Sequence, residues 1–568
     1  LKTGLYGLWP LAGNYSLTTT TFDMRKLLLC LALIAYGSLH AQWNQNTDEN
    51  TLVAIGQTSD IYAATAGDGH TYVVFWEEVP EPDYYNLRLQ ILGAEGQQVL
   101  GEDGIVLSPF ISMSSFTTVS RITTTDDGKL FVGVTGSGDY NGYVFKMDTQ
   151  GNHLWPSTGV IIPGAFRITI LPLVSGGAVV AWNEDGAGKM QLYDAAGQPV
   201  WPSPKAFSDS GVNASPENMF ELSESAGDFM MIYHEYGFGV NSTLYAQRFD
   251  SDGEGVWEEP LQLSDKATSF VNEYSSFQEG DVVYIGYSAA TNLRFDAFLQ
   301  RINPDGTLPW GLNGSDFDTD EDFYEGHVEI AMEEGSEYIY AISSYNNSSF
   351  DKYGEYVQKF DKTTGERVYG DQALALYEPQ YDYHVHVSPL YVVEDHPFFL
   401  LKIGEDLGVN PVRLEAVVLN PDGSFSDEEN IPVATFEAHK SRITMTPPNA
   451  APAVAVFVED KGEGNRAYAQ GIDVFITGLE DHPAIADLKV FPNPTVDRAT
   501  WTFSGMEGFD GTLEIYDVNG RTMHTVKNRY TVGWNQVEVD MGQWPAGVYF
   551  YRLVGTAGAP VSGKLIKR

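Results

Sequence analysis

The sequence predicts an all-β chain: an eight-bladed, alternatively seven-bladed, β-propeller followed by a small antiparallel β-sandwich. Eight short runs rich in β-branched and aromatic residues recur with a roughly 50-residue period. Each is followed by a degenerate copy of residues 244–257, LYAQRFDSDGEGVW. No stretch shows the 3.6-residue periodicity of an amphipathic helix. A long period of β segments marks a ring or solenoid of repeated sheets.

Composition narrows the partners. The 568 residues carry 33 Lys+Arg against 77 Asp+Glu, a formal charge of -44, yet 43% are hydrophobic and 13% aromatic. That is the make-up of a folded acidic protein rather than a disordered tail. The excess of acid lies between residues 42 and 487, while both ends are slightly basic. Such a surface repels phosphate, which excludes nucleic acid and anionic membrane as expected partners and leaves cations and neutral ligands.

Taken in order, residues 1–23 read as a gene-model extension, because Met24 opens the three parts of a secretory signal peptide over 24–41. Arg25 and Lys26 precede an apolar run, and the small Ala41 precedes Gln42. Cys30 is the only cysteine and lies in this run. The exported chain is therefore expected to have no disulfide and no thiol chemistry.

Residues 42–477 are the propeller. Its central strands are TYVVFW (71–76), KLFVGV (129–134), GAVVAW (177–182), FMMIYH (229–234), VVYIGY (282–287), YIYAIS (338–343), FFLLKI (398–403) and VAVFVE (454–459). In the repeated unit, the 244–249 segment alternates as a strand and Asp250 to Gly253 forms a tight turn, the glycine taking the left-handed position. An aromatic residue opens the returning segment as Trp155, Trp201, Trp257, Trp310 and Tyr369. A glutamine stands three positions before the turn as Gln90, Gln191, Gln247, Gln300, Gln358 and Gln470. Its simplest role is a contact between blades, since a buried amide must find partners. The eighth copy lacks its turn glycine and tryptophan, and the missing half stands at the other end as Trp43 and the residues after it. The first strand is therefore expected to complete the last blade and close the ring.

A polar linker, 478–487, leads to residues 488–568, whose strand pattern is that of a small seven-stranded sandwich. This segment carries Pro492-Asn493-Pro494, Ile515-Tyr516-Asp517 with Gly520-Arg521, Pro545 to Tyr549, and a final Lys564-Leu565-Ile566-Lys567. In order and spacing it resembles the C-terminal sorting domain of type IX (Por) secretion cargo. The resemblance implies an Ig-like fold and recognition by the type IX secretion machinery. It also implies passage across the outer membrane and, commonly, removal of the domain with attachment of the cargo to surface lipopolysaccharide. Pro492, Asn493, Pro494, Gly520, Gly547, Tyr549 and Lys564 are the sorting-signal residues it implies.

Chemistry is less legible. The Asp-x-Asp-Gly turn at Asp250 could open a calcium loop but lacks the later ligands, so hairpin chemistry is the expectation; no cofactor other than calcium is considered. The acidic run 316–325 reads as a solvated loop. Carboxylates recur at the ends of five central strands, Glu77, Asp185, Glu235, Glu405 and Asp460, and in a ring these share one rim as a candidate ligand collar. Asp382, His384 and His386 alternate onto one strand face as a candidate metal or acid/base site. Two functions follow. The preferred one is a secreted, surface-displayed, monomeric binding propeller for a glycan, peptide or other macromolecule. The alternative is an exported hydrolase or lyase acting on polysaccharide or peptide in the propeller cavity.

Overall fold

The computed structural model describes residues 43–568, apart from 45, 81–83, 113–117, 136–140, 209–210, 224, 238–239, 269–273, 292–293, 321, 406–410, 427–429, 449–451, 473–484, 506–508, 518–520, 532 and 555–560. The signal segment 24–41, Cys30, most of the 478–487 linker and Gly520 lie outside the described residues.

Eight antiparallel sheets succeed one another between residues 51 and 472. The second strand of each is one of the apolar runs: Thr71–Glu78, Leu130–Thr135, Ala178–Glu184, Phe229–Gly237, Val282–Thr291, Tyr338–Asn346, His396–Glu405 and Ala453–Asp460. Six consecutive residues of Thr71–Glu78 are buried, so both faces are covered. That is why these strands read as unbroken apolar runs rather than alternating ones. In the first sheet the order is Thr58–Thr65, Thr71–Glu78, Tyr84–Leu92, Ile105–Ser112, each strand beside the one before it. Each sheet touches the next, and Thr58–Thr65 of the first also meets Lys440–Thr446 of the eighth. The fold is a β-propeller.

Closure follows the expectation from Trp43. Thr51–Leu52 pairs with Asn465–Ile472, Thr51 opposite Ala469, and forms the outer edge of the eighth sheet. The Trp43 indole donates to the Ala94 carbonyl at 3.0 Å, and its ring covers Gly96 and Gly471. The same contact recurs around the ring. Trp155, Trp201 and Trp257 donate to the carbonyls of Ala195, Ser251 and Pro304, and Tyr369 to that of Pro421, each on the turn of the following unit. A Cβ on Gly197, Gly253 or Gly306 would lie 2.9, 2.8 or 3.1 Å from the covering ring. Those glycines also hold positive φ, so no other residue fits the turn and the ring together.

The glutamines correct the expectation of a mainly inter-blade role. Gln247 Oε1 accepts the amides of Arg248 and Trp257 at 2.8 and 3.3 Å, and its Nε2 donates to the Trp257 carbonyl. These bonds run within one sheet and hold the aromatic residue in place. Only Gln90, Gln300 and Gln358 also reach a segment between sheets, at Val53, Leu263 and Phe317. The aromatic residue therefore bridges the sheets, and the amide positions the aromatic.

After residue 484 two sheets face one another: Ile485–Phe491, Arg498–Gly505 and Gly533–Asp540 in one, and Phe509–Asp517, Thr522–Tyr530, Gly547–Val554 and Val561–Lys567 in the other. Trp501, Phe503, Leu513, Ile515 and Leu565 fill the space between them.

Candidate functional site

The innermost strand of every sheet is interrupted. In six sheets the pairing of the first strand with the second slips, after Thr58, Val119, Phe166, Pro216, Gly326 and Ser441. In the fifth and seventh the strand is in two pieces, Ala267–Thr268 with Ser275–Glu279, and Asp382–His386 with Tyr391–Val393. A bulge leaves a residue outside the ladder and re-aims its side chain. At three of these slips a non-glycine residue takes left-handed φ: Arg167 at 52°, His327 at 49° and Arg442 at 53°. That conformation is costly for any residue carrying a Cβ.

The slips of the first, second, third, fourth and eighth sheets line a cavity of about 930 Å³ walled by Tyr62, Arg121, Arg167, Glu217, Tyr274 and Arg442. Its polar groups form chains. Arg167 Nη1 lies 3.4 Å from Glu217 Oε1, which is 2.9 Å from His234 Nδ1; the other ring nitrogen of His234 meets the Tyr274 hydroxyl at 2.9 Å. Tyr62 donates to Asp60 at 2.8 Å, and Arg442 Nε is 3.6 Å from the same carboxylate. Burial, then the Asp60 charge, pushes the Tyr62 phenol well above its ordinary range. No local sequence pattern marks this group, because Glu217, His234 and Tyr274 come from three strands or their ends in two sheets.

The candidate rim residues do stand at the ends of second strands, close to the slipped positions, and each described side chain has local work. Glu77 accepts from Arg88 Nε at 2.7 Å and Asn86 at 2.9 Å. Asp185 makes the tight turn into Ala187–Tyr193 with φ of 52°. Asp460 Oδ1 accepts the amides of Gly462 and Gly464 at 2.8 and 2.9 Å. Glu235 is half-buried opposite Thr243 and Ala214. Glu405 ends its strand, and its side chain lies outside the described residues. At the turn of residues 250–253, Asp250 Oδ1 accepts the amides of Asp252 and Glu254.

Asp382, His384 and His386 do not converge. Asp382 is exposed; His384 stacks on Tyr377 with ring centroids 4.5 Å apart. His386 is buried between the sixth and seventh sheets, its Nδ1 2.8 Å from Glu355 Oε1. Burial alone would lower the imidazole, but the Glu355 carboxylate outweighs it and holds His386 above its ordinary value. Among the described residues no cluster of three or more His, Cys, Asp and Glu side chains is placed to hold a metal.

The acidic run 316–325 is not the solvated loop its composition predicts. Asp318 and Glu325 are 2% and 1% exposed. Glu325 is pushed up to about 10 by burial and by the Asp318 charge, and its Oε2 accepts the Ala297 amide at 3.0 Å. The folded protein keeps this proton at neutral pH, whereas the unfolded chain loses it above the ordinary carboxyl value of about 4.3. Stability from this group is therefore complete in acid and declines as pH rises toward 10. Glu325→Gln keeps the acceptor for Ala297 and a donor for Asp318. It is expected to match the parent in thermal unfolding at pH 4.5 and to exceed it by a margin that grows as the pH is raised to 8. A variant equally or less stable at pH 8 would contradict a protonated Glu325.

In the C-terminal sandwich Asn493, Gly547, Tyr549 and Lys564 lie on or against the last strand. Asn493 Oδ1 accepts the Ile566 amide at 2.9 Å and its Nδ2 donates to the Lys564 carbonyl at 3.0 Å, so the segment between Pro492 and Pro494 clasps the last strand. Buried Tyr549, two residues after Gly547 opens its strand, donates to the Pro545 carbonyl at 2.8 Å. Residues 489–568 match the family of secretion system C-terminal sorting domains. The sandwich is a sorting domain. It marks the chain as cargo of the type IX secretion machinery, exported to the outer cell surface or beyond. No curated protein matches the chain.

Among solved structures the chain is similar to the Dos1 propeller, with 13% identity and a TM-score of 0.42 over 75% of this chain and 96% of that one. It is also similar to the β-propeller domain of the Trilobed protease from Pyrococcus furiosus, with 11% identity and a TM-score of 0.34 over 65% and 98%. Prolyl oligopeptidase B from Galerina marginata is similar at 13% identity and a TM-score of 0.39 over 78% of this chain. The match spans 60% of the length of that oligopeptidase.

Proposed function

We propose that the chain is an exported binding protein, displayed at or released from the cell surface, whose extracellular ligand is a glycan, peptide or other macromolecule. The observation that carries this reading is the interruption of all eight innermost strands, with the slips of the first, second, third, fourth and eighth sheets lining one polar cavity. Each interruption gives up ladder hydrogen bonds, and side chains re-aimed by bulges commonly serve recognition. We read each sheet as one blade of an eight-bladed propeller over 42–477, and the sorting domain as Ig-like. The chain acts as a monomer, held at the surface through lipopolysaccharide. The rim of Glu77, Asp185, Glu235, Glu405 and Asp460 surrounds the same end and is where calcium would act.

A second reading, an exported hydrolase or lyase acting on polysaccharide or peptide, is favoured by the chain from Glu217 through His234 to Tyr274 at the cavity wall. A carboxylate orienting an imidazole against a phenol is an arrangement able to move a proton.

Glycan and peptide arrays, probed with and without calcium, separate the readings. A defined bound subset, unchanged in mass after incubation, supports binding. Arrays left blank under both conditions would overturn it, and ligand turnover abolished by His234→Ala would install the second reading.

A further inference from the structure

The cavity's charge runs against that of the molecule. The chain carries -44 overall, yet the wall sets Arg121, Arg167 and Arg442 against only Asp60 and Glu217. Arg442 faces Asp60 at 3.6 Å and Arg167 faces Glu217 at 3.4 Å. Arg121 has no carboxylate within ion-pair distance among the described residues. Its Nη2 donates to the neutral Asn218 Oδ1 at 2.8 Å, and its buried Nε has no hydrogen-bond partner there. Asn218 is held in turn by Ser276 at 2.7 Å, so the guanidinium is propped from the fourth and fifth sheets although it arises in the second. Burial is the cause that lowers the Arg121 value, with no neighbouring charge offsetting it. A guanidinium stays charged in proteins, so this is a partly buried cation left without a counter-charge among the described residues, directly after the slip in its strand.

We infer that Arg121 is the anchor for the carboxylate of a small organic ligand bound in the central cavity. This deepens the binding function proposed above and rests on it. The planar fork of a guanidinium matches a carboxylate with two parallel hydrogen bonds, which supplies both charge and orientation. Size is limited by the enclosure and by the surrounding acid. A polyanion would meet the field of the whole surface, whereas a single carboxylate inside the wall meets mainly the local arginines, since exposed charges beyond about 8 Å are screened at physiological salt. The ligand is therefore a monocarboxylate: a uronic acid end of a saccharide or an amino-acid-like acid.

The test is calorimetric titration of the full chain with D-glucuronate, L-glutamine, acetate and, as the neutral control, D-glucose. At least one carboxylate is expected to bind with one-to-one stoichiometry while glucose does not; glucuronate and glutamine distinguish the two sources. Arg121→Gln, checked for unchanged circular dichroism, is expected to weaken binding about tenfold or more. If that variant does not fold, phenylglyoxal modification of the parent chain replaces it, and the bound carboxylate should protect Arg121 from modification as read by peptide mass. No binding by any carboxylate, unchanged binding by Arg121→Gln, or an unprotected Arg121 overturns the inference. Array binding that persists without any carboxylate binding would sink the Arg121 anchor and leave the propeller's binding role standing. Blank arrays beside clear glucuronate binding would do the reverse to the macromolecular ligand.

Discussion

Trp43→Ala is expected to destabilise the propeller by about 3–5 kcal/mol, the range for removing a large buried aromatic. Trp43 is 7% exposed, packs on Gly96 and Gly471, and donates to Ala94, so it touches both the first sheet and the eighth. Near it, Gln470 Nε2 donates to the Asn44 carbonyl at 2.8 Å and Asn50 Nδ2 to Gln470 Oε1 at 2.9 Å, a polar seam that needs the ring above it to stay dry. The loss should be larger than for Trp257→Ala, whose ring makes the equivalent contact but is half-buried. Urea unfolding of the two variants measures the difference. A loss for Trp43→Ala no greater than that for Trp257→Ala would mean that the seam is held by the short Thr51–Leu52 pairing instead.

Glu459→Ala should cost a similar amount, about 3–5 kcal/mol, by a different mechanism. Glu459 and Lys440 are both fully buried, with Lys440 Nζ 2.8 Å from Glu459 Oε1. The ammonium also donates to the carbonyls of Val412 and Phe436, so it ties the seventh sheet to the eighth. Deleting the carboxylate leaves a buried cation facing only carbonyl oxygens. Replacing both partners, as Lys440→Met with Glu459→Leu, removes the charge together with its penalty and is expected to recover most of the loss. Recovery of none of it would show that the carboxylate acts chiefly through Lys461, 3.4 Å from its other oxygen.

The parts of the fold legible in the sequence are those written in local pattern. The eight second strands show as apolar runs because both faces are covered, and Asp250 with Gly253 shows as a turn because only certain residues accept that backbone. Trp43 was recoverable because a repeat with one broken copy names its own missing piece. The sorting domain is legible for a different reason: its motifs keep their order and spacing in the chain, and Asn493 of the first clasps the last strand. The cavity was not legible. A register slip changes which face a residue occupies without changing composition, so nothing near Arg121 or Arg167 announces that the ladder breaks there. The acidic run misled for a related reason. Asp318 and Glu325 lie in a stretch whose average is solvent-loving, and their burial depends on Tyr345 and Ala297, which are distant in sequence. The strand histidines resemble a site because alternation puts them on one face, and the unbroken pairing keeps them there; that face meets the sixth sheet, where His384 stacks on Tyr377 and His386 meets Glu355, and not a shared open site.

The eighth sheet draws its strands from both ends of the ring, and Asn44 meets Gln470 across 426 positions of chain. Loop closure over such a span comes late in folding, since the contact returns nothing until everything between has been placed. The sorting domain comes after that sheet in the chain. A chain cut short anywhere in the ring would lack both its latch and its export label. Completeness and delivery are thus coupled by strand order alone: the polypeptide that can be addressed is also the one that can be sealed.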